Sequence, residues 1–331
     1  MEQTSKFKAT LEAVKKSNLT NMGLVLIFLL VIASIFSPYF LDPYNLQSLV
    51  RDLAFISIIA LAQSCLMIIG ELDLSVGKIA AFCGVIGGML MVTGSINPYL
   101  AFGISLLLGA VLGLINGTIV TRLNLNSIVV TIGMTGVYGG IVLVLTKGKA
   151  ITGIPKEIYF IGQGYILGIP VPFVIMLVTL VVVLFITQMT QLGRYMYAIG
   201  NSPEAAKILG IKVNNIRTIV FILVGFLSSL AGMLMVARLG TAQPSIGDTW
   251  ALNSIAAAVI GGIALTGGLG NPFGAIIGAA IITVIQNIIV LFGVSPYWQT
   301  AVSGILVVLA ISFHSISTKI GERKRSKIKV V

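Results

Sequence analysis

Long, nearly charge-free apolar runs alternate with short polar breaks along the whole chain. The runs fall at roughly 22–36, 53–69, 79–94, 98–120, 127–146, 170–190, 217–238, 254–267, 273–293 and 297–313. Each approaches the ~20 residues that carry an α-helix across ~30 Å of hydrocarbon. The runs are continuous rather than alternating, which predicts helices and not barrel strands. Helices also satisfy their own backbone groups inside lipid. The pattern therefore predicts an all-α integral membrane protein of about ten transmembrane helices. One membrane domain over 22–313 is framed by a polar segment at 1–21 and a basic tail at 314–331, with no room for a separate soluble domain.

One break differs from the others. From Gly193 to Arg217 the chain carries Arg194, Lys207, Lys212 and Arg217 against a single acid, Glu204. Within it, Ser202-Pro203-Glu204 reads as N-cap, first-turn proline and early acid, a helix start. Ala205 and Ala206 favour helix, and Gly210 supplies a stop. A two-turn helix is predicted inside this loop, 191–217, as a docking segment for a soluble partner.

Composition agrees with a membrane location: of 331 residues, 57% are hydrophobic and 9% charged, and the mean hydropathy is +1.05. The net charge of +11 could suggest nucleic acid. The basic residues instead sit in loops and tails, where they set orientation. With ten spans and a cytosolic N-terminus, 16 Lys and Arg fall on the cytosolic side, Lys78 among them, together with the 191–217 loop and both termini. Five, namely Arg51, Lys147, Lys149, Lys156 and Arg238, fall outside. Cys65 and Cys83 lie in apolar runs and read as packing residues. Val85-Ile86-Gly87-Gly88 recurs 174 positions later as Val259-Ile260-Gly261-Gly262. With one copy running outward and the other inward, this suggests two inverted halves.

Candidate chemistry is sparse. Gly70-Glu71-Leu72-Asp73-Leu74-Ser75-Val76-Gly77 puts two carboxylates near the membrane, and such acids can relay ions. The order Asp-x-Ser-x-Gly is better explained by Asp73 or Ser75 capping the next helix, with Gly70 and Gly77 permitting a break. The glycines between Gly261 and Gly270 contain no G-x-x-x-x-G-K-[ST], nor does the rest of the chain, so no ATP site is encoded here. They suit close packing and a tight turn. Gln63, Asn116, Thr131, Gln286 and Asn287 are polar groups within runs that either line a hydrophilic path or bond helices together. No Lys, Arg or Glu is expected deep within the third to tenth spans, against a charged cargo held at mid-membrane. His314 has no partner in view.

Three blocks, in order, resemble the permease subunits of bacterial ABC importers for ribose and related monosaccharides. They are Gly70 to Gly77; Asn116-Gly117 with Val120 to Leu123 and Ile128 to Gly133; and the stretch from Gly193 through Glu204-Ala205-Ala206-x-x-x-Gly210 to Gly270. One departure is that many relatives carry an acid beside the aromatic after Gln243-Pro244, where this chain has Trp250-Ala251 with Asp248 upstream. The resemblance implies a bacterial plasma-membrane importer of two permeases (two copies or a paralogue pair), two cytosolic ATP-binding subunits and an extracytoplasmic sugar-binding protein. It also implies the ten-helix architecture of the vitamin B12 importer. ATP and Mg would belong to the partner ATPase, leaving this chain without cofactor or enzymatic activity. The ATPase-coupling role would fall to Pro203, Glu204, Ala205, Ala206 and Gly210. The alternative is a self-contained secondary carrier for a small neutral solute, with Glu71 or Asp73 as the ion-coupling group. A membrane enzyme lacks a paired base or metal cluster.

Overall fold

The computed structural model describes residues 18–94, 96–295, 298–305, 308–309 and 312. The polar N-terminal stretch up to 17, His314 and the basic tail lie outside the described residues. Among the described residues, nine apolar helices with defined bounds are α1 (Asn18–Phe36), α2 (Pro43–Ile68), α3 (Val76–Val92), α4 (Pro98–Arg122), α5 (Ser127–Thr146), α7 (Val171–Met189), α10 (Val213–Leu239), α11 (Trp250–Ile260) and α12 (Pro272–Leu291). Between them lie a short α6 (Tyr159–Gln163), a two-stranded hairpin of β1 (Tyr165–Ile166) and β2 (Ile169–Pro170), and two polar helices, α8 (Gln191–Asn201) and α9 (Pro203–Ile208). Six helices, α2, α4, α5, α7, α10 and α12, are long and apolar enough to cross a membrane; α1, α3 and α11 are shorter.

Helix starts are fixed by a repeated local device. Asp42-Pro43, Asn97-Pro98 and Asn271-Pro272 each place a side-chain oxygen on the next free backbone N–H groups, with proline at the first helical position. This cap starts α2 at Pro43, ten residues before the apolar run at 53. The polar residues that interrupt the pattern over 45–52 are helical in fact, and Asn45, Gln47, Arg51 and Asp52 find partners in Asn287, Tyr165 and Arg238. Helix α11 differs more: it starts at Trp250 and ends at Ile260, where an uninterrupted run predicts 254–267.

Helices α2 and α10 form the centre. Of the apolar window of α2, 78% is buried, against 17% for α5 at the periphery. Two ion pairs join them, Glu71–Arg217 at 3.3 Å and Asp52–Arg238. The two arginines are separated by 21 positions of one helix, about 32 Å at 1.5 Å per residue. That is close to the ~30 Å thickness of bilayer hydrocarbon. Helix α4 packs on α10 through Gly109, Gly113 and Gly117, whose missing side chains let the carbonyls of Gly225 and Phe221 approach.

Chain directions follow from contacts. Ala80 lies against Gly232 and Gly84 against Val236, so α3 runs parallel to α10. Phe55 stacks on Trp250 and Gly268 N–H donates to the Ile68 carbonyl, so α11 runs parallel to α2. Since α2 and α10 are antiparallel, α3 and α11 are antiparallel too. Their N-cap residues Ser75 and Thr249, and the Asn97 and Asn271 caps of α4 and α12, repeat at the 174-residue offset of the glycine motif.

Candidate translocation and coupling site

Helix α2 ends at Ile68, and the chain then runs non-helically to Ser75 before α3 begins. Exposed backbone of this kind is prohibitive in hydrocarbon unless protein groups satisfy it. Here every N–H from Glu71 to Ser75 has a partner. Glu71 donates to Leu66 O (2.9 Å), Leu72 to Ser127 Oγ (3.2 Å) and Leu74 to Thr131 Oγ1 (3.1 Å). The Gln63 amide, oriented with its nitrogen toward the Asp73 carbonyl, spans both backbone groups of Asp73 at 3.3 and 3.2 Å. Ser75 N–H donates to Asp73 Oδ1 (2.7 Å).

The Asp73 side chain is fully buried and accepts two further bonds, from Ser75 Oγ (2.6 Å) and Asn116 Nδ2 (3.2 Å). Asn116 in turn accepts from the Tyr138 hydroxyl at 2.8 Å. The expected helix cap is not made: Ser75 occupies the N-cap position, but its hydroxyl is spent on Asp73. Asp73 instead closes a turn just ahead of the helix, the local habit of aspartate.

A second break mirrors the first. After Leu239 the chain leaves α10, bridges Ala242 to Ile151 and returns through residues 243–249 to α11. The two breaks cross where a Cβ on Gly77 would collide with the Gly247 carbonyl, so only glycine fits. Beside the crossing, Lys78 Nζ donates to Asp248 Oδ1 at 2.6 Å. This corrects the placement of Lys78 among the cytosolic charges. Its stem packs on Gly139, twelve positions into α5. Ala80 is level with Gly232, which puts Lys78 about 20 Å along α10 from Arg217 and about 12 Å from Arg238. A charged side chain does therefore sit inside the third apolar helix. A count of loop charges misses it because α3 starts partway across the apolar band rather than at its edge.

Between α2, α11 and α12, toward the Arg238 end, lies a cavity of about 470 Å³. Phe55 and Trp250, with centroids 6.4 Å apart, form one wall. Asn253, Thr283, Gln286 and Asn287 supply neutral polar groups. Asn287 and Asn45 exchange amide bonds at 2.8 and 3.2 Å.

At the Arg217 end, Ser202 Oγ accepts from Ala205 N–H (3.2 Å), Pro203 takes the first helical position and Gly210, at φ +81°, ends the turn after α9. The two-turn helix is thus formed, preceded by α8, which the sequence pattern did not suggest. Ala206 is buried on the inner face of α9, while Glu204, Ala205, Ile208 and Leu209 face outward. The last two are 86% and 77% exposed, an apolar tip on a basic surface. Helix α8 ends on the interior: Gly200 lies against the Ile68 carbonyl and Gly268, and Tyr197 donates to the Gly270 carbonyl at 2.8 Å.

The family described as "Branched-chain amino acid transport system / permease component" matches residues 45–311. The chain belongs to this permease family. The permease is 39% identical over 288 residues to a ribose import permease of Bacillus subtilis (strain 168), covering 86% of this chain and 89% of that one. It is 37% identical to a ribose import permease of Haemophilus influenzae (strain ATCC 51907 / DSM 11121 / KW20 / Rd), over 87% and 90%. Against an L-arabinose transporter permease of Azospirillum brasilense the identity is 32%, over 88% and 86%.

In the permease, the polar residues read as a possible path divide into two groups. Gln63, Asn116 and Thr131 serve the first break, whereas Gln286 and Asn287 line the cavity. Gly70, at φ +78°, starts the break, and Gly77 serves the crossing. The sequence reading missed Asn253 and Trp250 as cavity residues and Lys78–Asp248 as a pair. The N-cap repeat at the 174-residue offset is the signal that could have located α11 and its first turn. Cys65 and Cys83 are free and buried, as packing residues are.

Proposed function

We propose that this permease is the membrane half of an ATP-driven importer that moves a monosaccharide, ribose or a related sugar, from an extracytoplasmic binding protein into a bacterial cell. It would have about ten spans in two inverted halves, arranged as in the vitamin B12 importer. The Arg217 end and both termini would lie in the cytosol, and a second permease copy or paralogue would complete the channel. Named relatives that import ribose and arabinose support the cargo class.

The observation that carries the mechanism is the contact of the α8–α9 corner with the end of α2 and with the glycine loop after α11. The exposed face of α9 suits a cytosolic ATP-binding subunit, where ATP and Mg would reside. Glu204, Ala205 and the Ile208–Leu209 tip would meet it, with Ala206 seating the helix and Pro203 and Gly210 fixing its ends. Motion of α9 passes through Gly200 to the end of α2 and to the glycine loop after α11. The first of these leads through residues 70–75 to the crossing of Gly77 and Gly247, and Gly267 of the loop packs against Gly70 at the start of that segment.

A secondary carrier would need a free acid to couple an ion. Glu71 is paired with Arg217, and Asp73 has three side-chain hydrogen bonds. The test is reconstitution of the chain in vesicles with the ATPase and binding protein from adjacent genes. Uptake of labelled sugar that requires ATP and both partners is expected. Uptake by the chain alone, driven by an ion gradient, would refute the importer.

A further inference from the structure

The cavity between α2, α11 and α12 has the size of a small-molecule site, about 470 Å³ against the 300–1,000 Å³ typical of such pockets. Its lining has no unbalanced charge among the described residues. The acid at its rim, Asp52, is paired with Arg238, and the remaining polar groups are neutral. A zwitterion or phosphate entering here would leave its charge without a partner, which is costly. A neutral polyol would not.

Two features narrow the class further. The Phe55–Trp250 stack, with ring planes nearly parallel at 12°, gives an aromatic wall beside hydrogen-bonding groups. That combination suits a sugar ring, with C–H groups on one face and hydroxyls at the edge. The second feature is Asn253. It is 2% exposed, and its Nδ2 donates to Thr249 Oγ1 at 3.3 Å. Its Oδ1 has no hydrogen-bond partner among the described residues. Buried polar atoms are nearly always paired. An orphaned acceptor on the wall of a polar cavity therefore points to a donor that arrives with a ligand, and a hydroxyl is such a donor.

We infer that this cavity is a binding subsite for the transported monosaccharide, its ring against Trp250 and one hydroxyl donated to Asn253 Oδ1. The inference rests on the sugar-importer reading above. The permease then holds its cargo after delivery instead of offering an inert passage, and contributes its own discrimination in favour of neutral polyols.

Trp250 and Trp298 are the two tryptophans of the chain, so Trp298→Phe leaves Trp250 as sole reporter. The purified full-length variant in detergent is titrated with D-ribose, L-arabinose, D-allose and, as control, L-leucine. A saturable change in emission with at least one sugar, and none with leucine, is expected. Adding Asn253→Leu should weaken that response about tenfold, the worth of roughly one hydrogen bond. The thermal midpoint should fall by no more than ~2 °C, the loss of one weak hydrogen bond, because the oxygen removed had no partner and only the 3.3 Å bond from Nδ2 to Thr249 Oγ1 is lost. Thr283→Val, on the facing wall, is the second probe and should also weaken it. No response to any sugar, in a preparation that still supports ATP-driven sugar uptake with its partners, overturns the subsite and leaves the importer standing. A sugar response unchanged by both variants overturns it as well. A response to leucine alone, with no sugar uptake in the full importer, overturns the sugar reading itself.

Discussion

Neutralising Asp248 while keeping Lys78 should cost more than removing both charges. Lys78 is the third residue of α3, where the unsatisfied N–H groups of the first turn already present positive charge. Asp248 offsets this at 2.6 Å. Asp248 itself lies two residues before α11, where the helix end favours an anion. Two unit charges 4 Å apart attract by about 4 kcal/mol at an effective dielectric of ~20. The side chains are 26% and 53% exposed, so solvent cancels most of that, leaving on the order of 1 kcal/mol. Asp248→Asn forfeits this and leaves an unbalanced lysine at a helix N-terminus, a further ~0.3–1 kcal/mol. The total is roughly 2 kcal/mol. Lys78→Met leaves a half-exposed aspartate in a favourable position and should cost about 1 kcal/mol or less. The double variant should resemble Lys78→Met. At about 2 °C per kcal/mol, Asp248→Asn should lower the thermal midpoint in detergent by ~4 °C, and the other two by ~2 °C. High salt should narrow the gap between the single variants. Additive shifts, within the ~0.5 kcal/mol expected of independent sites, would refute the pairing. So would an Asp248→Asn midpoint no lower than that of Lys78→Met.

Gly113→Val drives a side chain into the Phe221 carbonyl on α10. It should cost about 3 kcal/mol as overpacking, seen as loss of the monodisperse peak on size exclusion, while the same change at Gly103, with open space beside it, should be tolerated. Ile208→Glu with Leu209→Glu alters side chains that are 86% and 77% exposed, so the thermal midpoint should move by no more than the ~0.5 kcal/mol of surface changes. Co-purification of the ATPase should nevertheless be lost; full retention would remove α9 as the contact. Asn116→Leu strips one of three bonds from the buried Asp73 carboxylate and leaves the Tyr138 hydroxyl with only its longer bond to the Leu112 carbonyl, 3.3 Å. A loss of about 3 kcal/mol is expected, and a midpoint within 1 °C of the parent, against the ~2 °C per kcal/mol used above, would contradict the role of the knot.

The helices themselves were legible in the sequence wherever apolar residues face lipid or core without interruption, as in α4, α5 and α7. Helix α9 was legible for a different reason, because Ser202, Pro203 and Gly210 act through local backbone geometry that needs no tertiary partner. What escaped was set by contacts across the chain. Lys78 looks like a loop charge until its partner 170 residues away is seen. Asn253 looks like a helix terminus because a hydrophobicity run discounts an amide, even one facing a polar cavity inside the bundle. Residues 45–52 were lost from α2 for the same reason. Gln63, Asn116 and Thr131 could be read as a path or as structural glue, and only the backbone of residues 71–75 shows what they hold.

The ion pairs Glu71–Arg217 and Asp52–Arg238 fasten α2, and the chain just past its end, to antiparallel α10 at two levels, like two rungs of a ladder. Sliding one helix along the other by even a single turn would break both at once. Longitudinal slip is therefore closed to this pair, and the two helices are left to tilt or pivot as one strut. On the proposed importer cycle, the working stroke would fall to what adjoins that strut, namely the short α3 and α11 and the glycine loop beyond.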